Sequence, residues 1–227
     1  MKMTTIILAV LLTLTIVGRS QDRPFPGLRH LAVDSVYGAS VNYRPQGSVL
    51  LMHRYVNEAD IDYVDILLAR LDPSRNDTFL VQYDQGPSAD PEFTVYRKEP
   101  DTLSRIGSIN GLELTIPGTG YLYVSGHTDN MFTTRRKFRV TSTEIREIAQ
   151  PFLYVGLEST TLQQVSLFAD TTLISVVAVL PKGSSVDVLL NQGDFYLLKT
   201  PFGLLGWTEI PATQAATVIK GLFYAGD

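Results

Sequence analysis

The stretch from Ser166 to Ile210 constrains the fold most, because its apolar runs are short and turn signals separate every one of them. Leu173 to Leu180 is apolar and rich in β-branched residues, and Pro181-Lys182-Gly183 interrupts it. Val186, Val188 and Leu190 then alternate with Asp187 and Leu189. Asn191-Gln192-Gly193-Asp194 reads as a hairpin turn, since Asn and Gly adopt positive φ at little cost. Phe195 to Thr200 predicts the next strand, Pro201-Phe202-Gly203 the next turn, and Leu204 to Ile210 the last strand. Short strands this closely spaced predict a small all-β barrel.

The chain has 227 residues, 44% of them hydrophobic, and a net charge of −4. That length suits one or two globular domains. The slightly acidic balance argues against a nucleic-acid partner, which needs a basic footprint. With no cysteine, disulfides, thiolate metal sites and cysteine nucleophiles are excluded. At the N-terminus, Lys2 precedes an apolar run from Ile6 to Val17, and Gly18 and Ser20 are small. This layout predicts a signal peptide over residues 1–20, cleaved after Ser20, and a secreted or periplasmic mature chain with no stable membrane span.

Residues 28–150 read as β throughout. Val64 to Leu71 is long enough for a helix, but its neighbours favour a strand. Asp72 to Asp77 is a turn cluster, and Thr78 to Tyr83 alternates well. Ile106 to Ile116 predicts a hairpin bent at Asn110-Gly111. Phe138 and Val140 pair with Ile145 and Ile148 in a hairpin over Thr141 to Glu144, and that turn also fits a helix-capping box. A connector is expected at 151–162. The run Val218 to Tyr224 predicts a strand-like tail over 212–227 that packs back onto the rest.

Few residues suggest chemistry. The histidines are His30, His53 and His127, none of them at zinc-protease spacing. Ser125-Gly126-His127-Thr128-Asp129-Asn130 contains the types of a catalytic triad but no nucleophile elbow, and reads as a polar loop. With Tyr121 and Tyr123, His127 and Asp129 would form the rim of any ligand site in the first domain. Glu58, Asp60, Asp62 and Asp65 lack the spacing of a calcium loop. Neither metal nor other cofactor is expected.

The C-terminal quarter resembles the bacterial SH3 domain family. The resemblance rests on Val177-Ala178-Val179-Leu180-Pro181-Lys182-Gly183, on the alternation from Val186 to Leu190, on Gly193-Asp194-Phe195-Tyr196-Leu197-Leu198, and on Gly203-Leu204-Leu205-Gly206-Trp207-Thr208. The family's opening loop is replaced here by Val165-Ser166-Leu167-Phe168-Ala169-Asp170. The resemblance implies an SH3-like barrel at 163–211, with Phe168, Phe195, Tyr196 and Trp207 as candidates for an aromatic groove. Such grooves bind peptides because aromatic walls bury area with little loss of entropy.

The expected architecture is therefore all-β: an N-terminal β-sandwich or meander domain, then an SH3-like barrel. The expected function is that of a non-enzymatic envelope module binding cell-wall peptide or an envelope protein. A structural scaffold, in which the barrel braces the first domain, is the alternative. A carbohydrate-active enzyme built on scattered carboxylates is a third.

Overall fold

A computed structural model describes residues 25–56, 62–86, 90–212 and 217–226. The expected signal peptide, and Glu58 and Asp60 of the acidic group, lie outside the described residues. Those that are described form strands, turns and loops with no helix, so the chain is all-β.

The chain opens with a hairpin, β1 (Arg29–Asp34) and β2 (Ala39–Tyr43). It then crosses over to a five-stranded antiparallel meander: β3 (Ser48–Val56), β4 (Asp62–Ala69), β5 (Thr78–Asp84), β6 (Glu92–Lys98) and β7 (Leu103–Asn110). The run after Asp62 is thus a strand, as its β-rich flanks imply. The chain returns to the first sheet at β8 (Glu113–Ile116), which lies parallel to β2, and continues through β9 (Tyr121–Gly126), β10 (Thr134–Val140) and β11 (Ile145–Glu147). The spatial order is β1-β2-β8-β9-β10-β11.

These two sheets bury one core between them. Val41, Leu114 and Leu122 come from one sheet, and Ile66, Val81 and Phe93 from the other, all fully buried. Strict alternation produces this: along β9, Leu122 and Val124 point inward while Tyr121, Tyr123 and Ser125 point out. The result is the expected sandwich. The hairpin expected at Asn110-Gly111 is not formed, because β7 and β8 belong to different sheets. Gly111 has φ 155°, and a Cβ there would lie 2.3 Å from Val124 Cγ1. The glycine serves a close backbone crossing rather than a tight turn.

The third sheet contains β12 (Leu153–Thr160), β13 (Val165–Phe168), β14 (Val176–Leu180), β15 (Ser185–Gln192), β16 (Phe195–Lys199) and β17 (Leu205–Glu209). Its order is β12-β15-β16-β17-β13-β14, antiparallel throughout. β14 to β17 are the strands expected between Leu173 and Ile210, whereas β13 forms over Val165–Phe168, where a loop is expected from the sequence. The first, β12, occupies the expected connector and takes the free edge of β15. β12 and β14 are the two edges of this sheet, so its hydrogen bonding does not close a barrel.

The inner face of this sheet buries Val155, Leu167, Val188, Tyr196 and Leu198. Two other regions complete that core. Met131 and Phe132 enter from the loop between β9 and β10, and Val218, Ile219 and Leu222 from the C-terminal segment. That segment packs back as expected, but through isolated bridges (Thr161 with Ile219, Asn130 with Ala225) rather than as a strand. The Phe223 N–H donates to Met131 O at 3.2 Å and the Ala225 N–H to Asn130 O at 3.0 Å, tying the tail to the sandwich.

Candidate functional site

The outward face of the third sheet carries a row of large side chains in direct register across five strands. Tyr154 on β12 pairs with Leu190 on β15, Leu190 with Leu197 on β16, Leu197 with Trp207 on β17, and Trp207 with Phe168 on β13. Directly paired cross-strand residues are the closest same-face neighbours in a sheet, so these five side chains form one surface. Tyr154 is 59% exposed and the other four are half-buried. Phe152, 42% exposed, lays its ring beside the Trp207 indole with centroids 6.2 Å apart. A recess of about 430 Å³ opens next to it, lined by Gln150, Phe152, Leu153, Asn191 and Gly193 among others.

Backbone geometry sets this display. Gly206 precedes the tryptophan, and a Cβ there would lie 2.6 Å from Leu167 Cβ. The missing side chain lets β17 lie against β13, so alternation sends Trp207 outward. Bulges between Val188 and Leu190 and within the β13–β14 pair keep Leu190 and Phe168 in the row despite local shifts of register.

Of the four groove candidates, Phe168 and Trp207 stand in the row, and Phe195 shares its face two residues before Leu197. Tyr196 does not line a groove. Alternation turns it inward, where it is 2% exposed and packs edge-on against Phe132 at 6.2 Å. Burial, with the nearby Asp194 carboxylate, pushes its phenol up to about 12. Sequence reasoning missed Tyr154, Leu190 and Leu197. The alternation of Leu153 and Val155 with Tyr154 was the available signal.

The four rim candidates divide between two places. Tyr121 and Tyr123 stand on the outward face of β9, where the Lys137 ammonium lies 4.0 Å from the Tyr121 ring centroid and 5.7 Å from that of Tyr123. Phe25 packs on Tyr123 at 4.7 Å. His127 and Asp129 instead clasp the C-terminal segment. The His127 Nε2–H donates to Phe223 O at 3.0 Å, and the two rings lie 4.8 Å apart. The Tyr224 hydroxyl donates to Asp129 Oδ1 at 3.4 Å. These two residues therefore hold the tail.

Among the described residues no cluster of three or more His, Asp or Glu side chains is placed to hold a metal ion, and no helix is long and apolar enough to cross a membrane. Compared with known proteins, the chain matches no family model, no curated protein and no solved structure.

Proposed function

We propose that the protein is an exported bacterial envelope protein whose C-terminal sheet is a bacterial SH3-like domain, acting as a non-enzymatic binding module for cell-wall peptide. The secretory layout of residues 1–20 supports export. The order β15-β16-β17, the Leu180-Pro181-Lys182-Gly183 stretch closing β14, and Gly206-Trp207 within β17 support the domain assignment.

The observation that carries the proposal is the outward row Tyr154–Leu190–Leu197–Trp207–Phe168. A row of aromatic and aliphatic side chains left partly in water costs solvation that an apolar ligand surface recovers, and it offers rigid walls for an extended peptide. The test is co-sedimentation of residues 21–227 with purified peptidoglycan sacculi, with mass spectrometry of the supernatant. Binding without released fragments supports the module. Released fragments point to an enzyme, and neither result points to a protein partner.

A second reading, the bracing scaffold, has its own support. Met131 and Phe132 leave the sandwich to enter the core of the third sheet, and His127 and Asp129 anchor the tail that completes that core. On this reading the third sheet is a structural partner of the sandwich, and no wall binding is expected.

A further inference from the structure

The outward face of β9, β10 and β11 has a character unlike the rest of this acidic chain. Arg135, Lys137 and Arg139 alternate with inward-facing residues along β10, so they stand on one face at intervals of about 7 Å. Arg146 on β11 pairs directly with Arg139 and adds a fourth cation. None of the four makes an ion pair among the described residues, whereas Arg75, Arg97, Arg105 and Arg136 each have a carboxylate partner. Ser125, Tyr123 and Tyr121 on β9 lie opposite Arg135, Lys137 and Arg139 in turn. A cleft of about 470 Å³ opens along this face, lined by Phe25, Glu113, Tyr123, Arg135, Lys137 and Gln150 among others, with Arg139 and Arg146 on the same face beyond its lining.

We propose that this face binds an acidic glycan, with Lys137 and Arg139 meeting its carboxylates. Cations in a row without a close ion-pair partner, Arg139 having a longer-range attraction to Asp72, raise the local potential for an anionic polymer even though the net charge is −4. The Tyr121 and Tyr123 rings hold the Lys137 ammonium in place, so little ordering remains to be done on binding.

The surroundings select a hydroxyl-rich anion. Asn42 and Thr115 continue the same register row from Tyr123, and the Asn42 amide donates to Glu113 Oε1 at 2.7 Å. These groups, with Ser125 and Gln150, supply uncharged donors and one carboxylate acceptor suited to sugar hydroxyls. Single-stranded nucleic acid fits less well, because it requires open aromatic faces for base stacking. Here Lys137 and Phe25 already cover the tyrosines. The site is separate from the Trp207 row. Arg135 and Gln150 reach both, the Arg135 guanidinium lying 5.9 Å from the Tyr154 ring centroid and Gln150 lining the recess beside Phe152 as well as this cleft, and both are therefore left unchanged in the test.

The experiment is affinity electrophoresis of residues 21–227 through gels containing polygalacturonate, neutral dextran or oligo-dT, at low and raised salt. Expected is retardation by polygalacturonate but not by dextran, weakened by salt and reduced about tenfold or more in the double variant Lys137→Gln with Arg139→Gln. The exposed pair Arg139→Gln with Arg146→Gln reads out the same loss if the Lys137 change disturbs folding. Trp207→Ala is expected to leave this binding intact, so failure here and failure of the wall-peptide proposal are distinguishable. No retardation by polygalacturonate at low salt overturns the inference, as does undiminished retardation of a folded double variant. Equal or tighter retention by oligo-dT also overturns it.

Discussion

The Tyr83 hydroxyl donates to Asp34 Oδ2 at 3.1 Å, joining the two sheets of the sandwich through a buried side-chain pair. The other carboxylate oxygen accepts the backbone N–H groups of Val36 at 2.8 Å and Tyr37 at 3.3 Å, forming the turn that leads from β1 to β2. One side chain thus shapes a local turn and ties β1 to β5. Asp34→Ala would strand the tyrosine hydroxyl and two N–H groups, at a cost of about 2–4 kcal/mol. Urea unfolding of the variant measures this, and a change under about 0.5 kcal/mol would deny the pair any structural role.

The same carboxylate predicts a pH dependence. Burial alone would raise its pKa, but the N–H groups of Val36 and Tyr37, with the Tyr83 hydroxyl and the Gln85 side chain, outweigh that and hold it below the usual 3.8. A pKa depressed in the folded state contributes stability that is present above the unfolded value and is lost as pH falls through the folded value. Stability is therefore expected to decline below the ordinary aspartate range. The decline should be shallower in Asp34→Asn than in wild type. Parallel acid titrations of melting temperature for the two proteins would refute this assignment.

Gly111 predicts a steric effect. Gly111→Ala drives a methyl group onto Val124 and is expected to cost about 1–3 kcal/mol. Adding Val124→Ala should recover part of the loss, because it removes the atom in the way. A turn glycine would show no such rescue, so the double-mutant cycle separates the two roles.

The elements legible in the sequence are those specified by neighbours a few residues apart. The hairpin over Thr141 to Glu144 forms because Val140 and Ile145 are close along the chain and both face the core. The Gly193-Asp194 turn likewise joins Gln192 to Phe195 directly. The parallel pairing of β2 with β8, with Ser40 opposite Glu113, leaves no local trace, and it is what denies Asn110-Gly111 its hairpin. Residues 153–160 looked like a connector because their partner, β15, lies some thirty residues later. At the candidate site, aromatic content picks out β13, β16 and β17, while register decides the side of the sheet. Register sends Trp207 out and Tyr196 in.

Phe132 connects the sandwich to the third sheet, and it predicts coupled stability. It is 6% exposed and packs against Tyr196. Phe132→Ala is expected to cost about 3–5 kcal/mol, whereas Phe152→Ala, on the outward face, should cost under about 1 kcal/mol. Thermal melts followed by near-ultraviolet circular dichroism compare the two. Equal effects would mean that the third sheet does not depend on the loop between β9 and β10.

The central claim is that the row through Trp207 is a binding surface and not a piece of core. Trp207→Ala tests it, with sacculus co-sedimentation and melting temperature measured on the same preparation of residues 21–227. The predicted result is loss of most sacculus binding with a melting temperature within a few degrees of wild type, on the order of a 1 kcal/mol change or less. Unfolding of the variant, or full retention of binding in a folded variant, would contradict the claim.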